Sequence, residues 1–116
     1  MTWNSWMFMA LERSSIVVGY RGTLALVRSA LRREDWIEAE SLLMRAGPIA
    51  GNDPSFLNLV GILREVEGDQ RAAAEFYGKA IRASSDYAPA QQNMRRLYEL
   101  RNFGRTDQTV ALGDEQ

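Results

Sequence analysis

Residues Arg32–Gly47 read "RREDWIEAESLLMRAG", and thirty-four positions later Val66–Ile81 read "VEGDQRAAAEFYGKAI". Superposing the two places Asp35 on Asp69, Ala39 on Ala73, Leu43 on Tyr77 and Ala46 on Ala80. An acidic residue suits a helix start, and small residues suit a close approach of two helices. Agreement in both at a single offset marks one helical unit written twice.

The flanking sequence extends the pattern. In "YRGTLALVRSALR", Tyr20, Leu24, Val27 and Leu31 fall at i, i+4, i+7 and i+11, which predicts a helix over 20–32. "DWIEAESLLMRAGP" predicts a second helix with Trp36, Ala39, Leu42, Leu43 and Ala46 inward and a stop at Gly47 and Pro48. The loop "GPIAGNDP" then leads into "SFLNLVGILREVEG", where Phe56, Leu59, Val60, Leu63 and Val66 keep helical spacing. A fourth helix follows in "DQRAAAEFYGKAIRASS", and a fifth in "YAPAQQNMRRLYELRNFG". The one β-branched run is Ile16–Val18. Turns this short between helices imply an all-α fold of antiparallel pairs. The expected segments are an N-terminal amphipathic helix or half-repeat over 1–15, two helix pairs over 20–85, a capping helix over 87–103, and a polar, partly disordered tail over 104–116 with a short helix around Thr109 to Leu112.

Composition narrows the chemistry. The chain has 116 residues, a net charge of −1, no cysteine and no histidine. One domain's core fits that length, and no global field draws nucleic acid or an anionic membrane. Without cysteine or histidine the commonest general base and the commonest zinc ligands are missing, so neither a metal nor a cofactor is expected. The carboxylate pairs Glu38 with Glu40 and Glu65 with Glu67 sit two apart, which points them to different sides of a helix and forms no local dyad. The glycines are dispersed as turn and packing residues rather than gathered in a phosphate loop, and Lys79 has no sign of a desolvating pocket. A non-enzymatic protein is therefore expected. The start "MTWNSWMFMALERSS" lacks the basic region and cleavage site of a signal peptide, and no apolar run reaches the length of a membrane span. A soluble protein follows, with the cytoplasm as the working location.

The repeat resembles the tetratricopeptide family. Gly61 stands midway along a first helix, Gly68 and Asp69 form the turn within a pair, and Ala73, Tyr77 and Ala80 line the second helix. The earlier unit keeps Ala39 and Ala46 but has Val27 and Glu34 where the family prefers glycine, and Leu43 where an aromatic is usual. Neither unit has the family's terminal proline, since Gly51 and Ser85 occupy that place, and Arg95 stands where a third unit would need a small residue. Farther out, "WMFMALERSS" is similar to "FYGKAIRASS" at an offset two residues too long, so a half-repeat there implies a longer loop.

The resemblance implies a short right-handed solenoid closed by a C-terminal capping helix, with first helices lining a concave face. It puts Leu24, Arg28, Leu31, Asn58, Leu59, Ile62, Glu65, Gln92, Asn93, Arg96 and Glu99 on that face as a partner-binding groove. Such a groove suits an extended peptide or an amphipathic helix. Some members of the family clamp a partner's C-terminal carboxylate. Arg28, Asn58 and Asn93 fit that role, whereas Leu24 and Pro89 stand where the clamp needs a cation, which argues against chaperone-tail binding. Arg21, Arg28, Arg32 and Arg96 could meet an acidic segment, or else form a solvated helix face.

The N-terminal stretch sets Trp3, Trp6, Met7, Ala10 and Leu11 on one helical face, widened by Phe8 and Met9. That face either covers Leu24, Val27 and Leu31 in the same chain or forms an interface with a partner or a second copy, giving a homo-oligomer. The expected function is an adaptor or scaffold that binds a protein segment, or a small subunit of a larger assembly. The alternatives are a secretion-type chaperone of the same repeat class that holds a client's amphipathic helix, and an enzyme using carboxylates.

Overall fold

A computed structural model describes the backbone of residues 5–113 and the side chains from residue 19 onward. The helices are α1 Ser5–Arg32, α2 Trp36–Ala50, α3 Pro54–Val66, α4 Gln70–Ala83 and α5 Ala88–Phe103, with no strand among the described residues. Neighbours in sequence pack in pairs, α1 on α2 and α3 on α4, while α1 and α5 both also touch α3.

Local chemistry accounts for the boundaries. Asp35 caps α2 by accepting the Glu38 N–H at 3.2 Å, and Asp69 caps α4 by accepting the Ala72 N–H at 3.0 Å. Asp53 caps α3 through the Ser55 N–H at 3.1 Å, with Pro54 preset for the first turn. The turns inside the two pairs share one hydrogen-bond pattern, offset by thirty-four residues. The Glu34 and Gly68 amides donate to Leu31 and Glu65, and the Asp35 and Asp69 amides donate to Ala30 and Arg64. Both turns pass through the left-handed region, Gly68 at φ +88° and Glu34 at φ +59°. Glu34 therefore holds a conformation that disfavours any residue with a Cβ.

The core joins Val27, Ala30 and Leu31 of α1 to Ala39, Leu42, Leu43 and Ala46 of α2, and continues through Leu59, Val60, Ile62 and Leu63 of α3 to Ala73 and Tyr77 of α4. Ala80 belongs to a second cluster with Leu57 and Ala90. A Cβ on Gly61 would stand 2.6 Å from the Tyr77 ring, so the missing side chain is what lets that ring lie against α3.

Three expectations are corrected. No break separates the expected N-terminal helix from the helix expected over 20–32, because from Ser5, where the described backbone begins, α1 runs unbroken to Arg32, and β-branched residues cost a helix only a few tenths of a kcal/mol each. The stop expected at Gly47 and Pro48 is passed: α2 continues to Ala50, which is buried, and the eight-residue loop shrinks to Gly51–Asp53. The lost Pro48 N–H falls within the last turn of α2, and Ala50 beyond it is buried. The short helix expected at Thr109 to Leu112 is absent, and residues 105–112 follow a non-helical path tied to the helices by side-chain hydrogen bonds.

Candidate functional site

After Phe103 the chain turns at Gly104, in the left-handed region at φ +73°, and runs back along α5. Thr106 donates its hydroxyl to Glu99 at 2.5 Å, an early tie along the return path. Side chains from three helices then hold the main chain of Thr109–Leu112. Gln92 of α5 donates to the Thr109 carbonyl at 2.8 Å. Asn93 of α5 closes a ring on Ala111, donating to its carbonyl at 2.9 Å and accepting its N–H at 2.9 Å. Asn58 of α3 donates to the same carbonyl at 3.0 Å, and Arg28 Nε of α1 donates to the Leu112 carbonyl at 3.1 Å.

Two asparagines carry this grip. Both are 0% exposed, and Asn93 donates to Asn58 Oδ1 at 2.8 Å, which fixes each amide's orientation. A buried amide is tolerated when its donors and acceptors are met, and here the tail's peptide groups meet them. An extended segment is suited to this, since its main-chain groups are not consumed by helical bonds of its own. At the far end Gly113 sits at φ +92°, and a Cβ there would lie 2.5 Å from the Tyr87 hydroxyl.

Below the tail is a charged cluster. Arg96 of α5 forms a bidentate pair with Glu65 of α3, one contact being 2.5 Å, and Tyr77 of α4 donates its hydroxyl to Glu65 at 2.8 Å. Burial, followed by the neighbouring Glu65 charge, pushes the Tyr77 hydroxyl far above its ordinary pKa. Burial alone would lower the Arg96 guanidinium, but its hydrogen bonds and charge contact with Glu65 outweigh this and raise it. Arg96 Nε is buried with no hydrogen-bond partner among the described residues. At the α1 end, Tyr20 donates to the α3 cap Asp53 at 2.5 Å, and burial again raises the phenol.

The residues expected in a groove thus divide into three groups. Arg28, Asn58, Gln92 and Asn93 converge on the tail. Leu24 and Leu59 are buried in the core rather than presented as open anchors, while Leu31 and Ile62, also buried, border an apolar depression beside the tail. Glu65 and Arg96 neutralise each other, and Glu99 bonds Thr106 and Arg95. Of the carboxylates weighed for catalysis, Glu40 and Glu67 both pair with Arg64, at 2.9 and 2.8 Å. Trp3 lies outside the described residues, and of Trp6, Met7 and Leu11 only the backbone, within α1, is described. Sequence reading missed the tail itself, whose signal was the brief apolar run Val110–Leu112 between polar stretches.

No group of three or more metal-ligating side chains occurs among the described residues, and no helix among them is long and apolar enough to cross a membrane. In comparisons with known proteins, no family model, no curated protein and no solved structure matches this chain.

Proposed function

We propose that this chain is a non-enzymatic adaptor of the tetratricopeptide type, which holds an extended segment of a partner protein along α1, α3 and α5. One observation carries the reading. Arg28, Asn58, Gln92 and Asn93 converge from three helices on the main chain of an extended segment, so they recognise backbone rather than a particular side chain. The repeat assignment draws support from the turn geometry recurring at thirty-four residues and from Gly61 lying against Tyr77. A chaperone for an amphipathic client helix is the weaker reading, because a helix offers few free main-chain groups to these amides.

The test is capture of partners from cells of the source organism by the full chain and by an Asn58→Ala, Asn93→Ala double variant checked for fold by circular dichroism. Retention by the parent and loss by the variant support the adaptor. Identical partners on both proteins would sink it.

A further inference from the structure

Val110 and Leu112 of the tail border an apolar depression of about 230 Å³, whose other walls include Leu31, Trp36, Ile62 and Val66. Leu112 packs on the core, but Val110 remains 48% exposed beside this space. The tail therefore satisfies the groove's polar grip while leaving its apolar part incompletely filled. We infer that residues 109–112 are a built-in, sub-optimal occupant, and that the groove's external ligand is an extended peptide with a larger apolar or aromatic side chain at the position of Val110. This rests on the peptide-binding reading above.

The tether explains how a weak occupant keeps the site closed. Only the segment Gly104–Gln108 separates the end of α5 from Thr109, the first residue held by its main chain. A short linker of this kind gives an effective concentration on the order of millimolar, so even a tail of modest intrinsic affinity excludes an equal competitor. A ligand using the same backbone contacts gains by what the tail lacks, apolar area laid against Trp36 and Val66. Such an anchor is the usual source of a decisive share of binding energy. The ligand then displaces the tail, and the bound fraction depends on the difference between the two affinities.

The experiment uses the whole chain and two labelled peptides, "TDQTVALGD" from residues 106–114 and the same peptide carrying Val110→Phe. Anisotropy is read on the parent chain and on a Leu112→Asp variant of the same chain, in which a carboxylate set against the apolar core at a half-buried position expels the tail. We expect the Phe peptide to bind at least threefold more tightly than the native one on both proteins. Either peptide should bind the variant about tenfold more tightly than the parent. On the parent, saturating Phe peptide should abolish the exchange protection of the Ala111 amide while the amides of α3 and α5 stay protected. Equal affinity of the two peptides overturns the inference and leaves the adaptor reading standing. So does unchanged Ala111 protection at saturation, or a Leu112→Asp chain that no longer folds, since the tail is then part of the core. Failure of both peptides to bind the folded variant instead overturns the peptide-binding reading itself.

Discussion

The Asn93 amide donates at once to Asn58 Oδ1, at 2.8 Å, and to the Ala111 carbonyl, at 2.9 Å, tying α5 to α3 and both to the tail. Asn93 also accepts the Ala111 N–H, whereas Asn58 gives the tail one bond. Truncating Asn93 strands Asn58 Oδ1 in a buried site, so Asn93→Ala should cost about 1–3 kcal/mol and exceed the cost of Asn58→Ala. Denaturant melts of the two variants check the order.

Ala73 and Ala80 are both fully buried where α4 meets its neighbours. Enlarging either to leucine should overpack the interface by about 1–3 kcal/mol, and Gly61→Ala should be destabilising because its Cβ would meet the Tyr77 ring at 2.6 Å. Unchanged thermal midpoints would show that these helices have room to separate.

Glu34 occupies the turn position that Gly68 fills thirty-four residues later, at φ +59°. Left-handed backbone costs a residue with a Cβ about 1–2 kcal/mol, and the added chain entropy of glycine takes back part of the relief. Glu34→Gly should therefore stabilise the chain, by up to about 1 kcal/mol, read as a rise in the denaturation midpoint.

Among the described residues Glu65 is the acid bonded to Arg96, and the two side chains are 15% and 6% exposed. Glu65→Gln leaves a guanidinium buried without its counter-charge, a loss of about 3 kcal/mol. Replacing the cluster as a whole, Glu65→Leu with Arg96→Met and Tyr77→Phe so that the Tyr77 hydroxyl is not stranded, should recover most of that loss, since a buried ion pair and a well-packed apolar group are often of similar stability. A double-mutant cycle measures the coupling.

Glu99 connects the tail's return path to pH. Hydrogen bonds from Thr106 and then Arg95 hold its carboxyl below the ordinary value of 4.5. A depressed folded-state pKa stabilises above the unfolded value and loses that contribution as pH falls through the folded one. Acidification below about 4.5 should thus loosen the Thr106 tie. NMR titration of Glu99 should show its pKa rise in Thr106→Val, and an unmoved titration would mean that the hydroxyl does not stabilise the carboxylate.

The helices and most of their limits were legible in the sequence because their causes are local. Asp35, Asp53 and Asp69 each cap a helix within three residues, Gly68 makes its own turn, and apolar spacing marks the inward faces. Small residues at Gly61, Ala73 and Ala80 could likewise be read as close approaches, since few side chains fit there. Even the run of α2 past Pro48 is a matter of one helical turn. The tertiary structure alone decided where the polar residues went. Asn58 meets Ala111 fifty-three residues away, Arg96 meets Glu65 at thirty-one, and Arg28 meets Leu112 at eighty-four. An asparagine or arginine on a helix reads as solvent-facing until a distant segment covers it. Its burial is favourable only once that segment brings the matching carbonyl or carboxylate. The tail's path is set in the same way: the β-branched Thr109 and Val110 disfavour a helix locally, but where the segment lies is decided by three packed helices that present donors and an acceptor to its main chain.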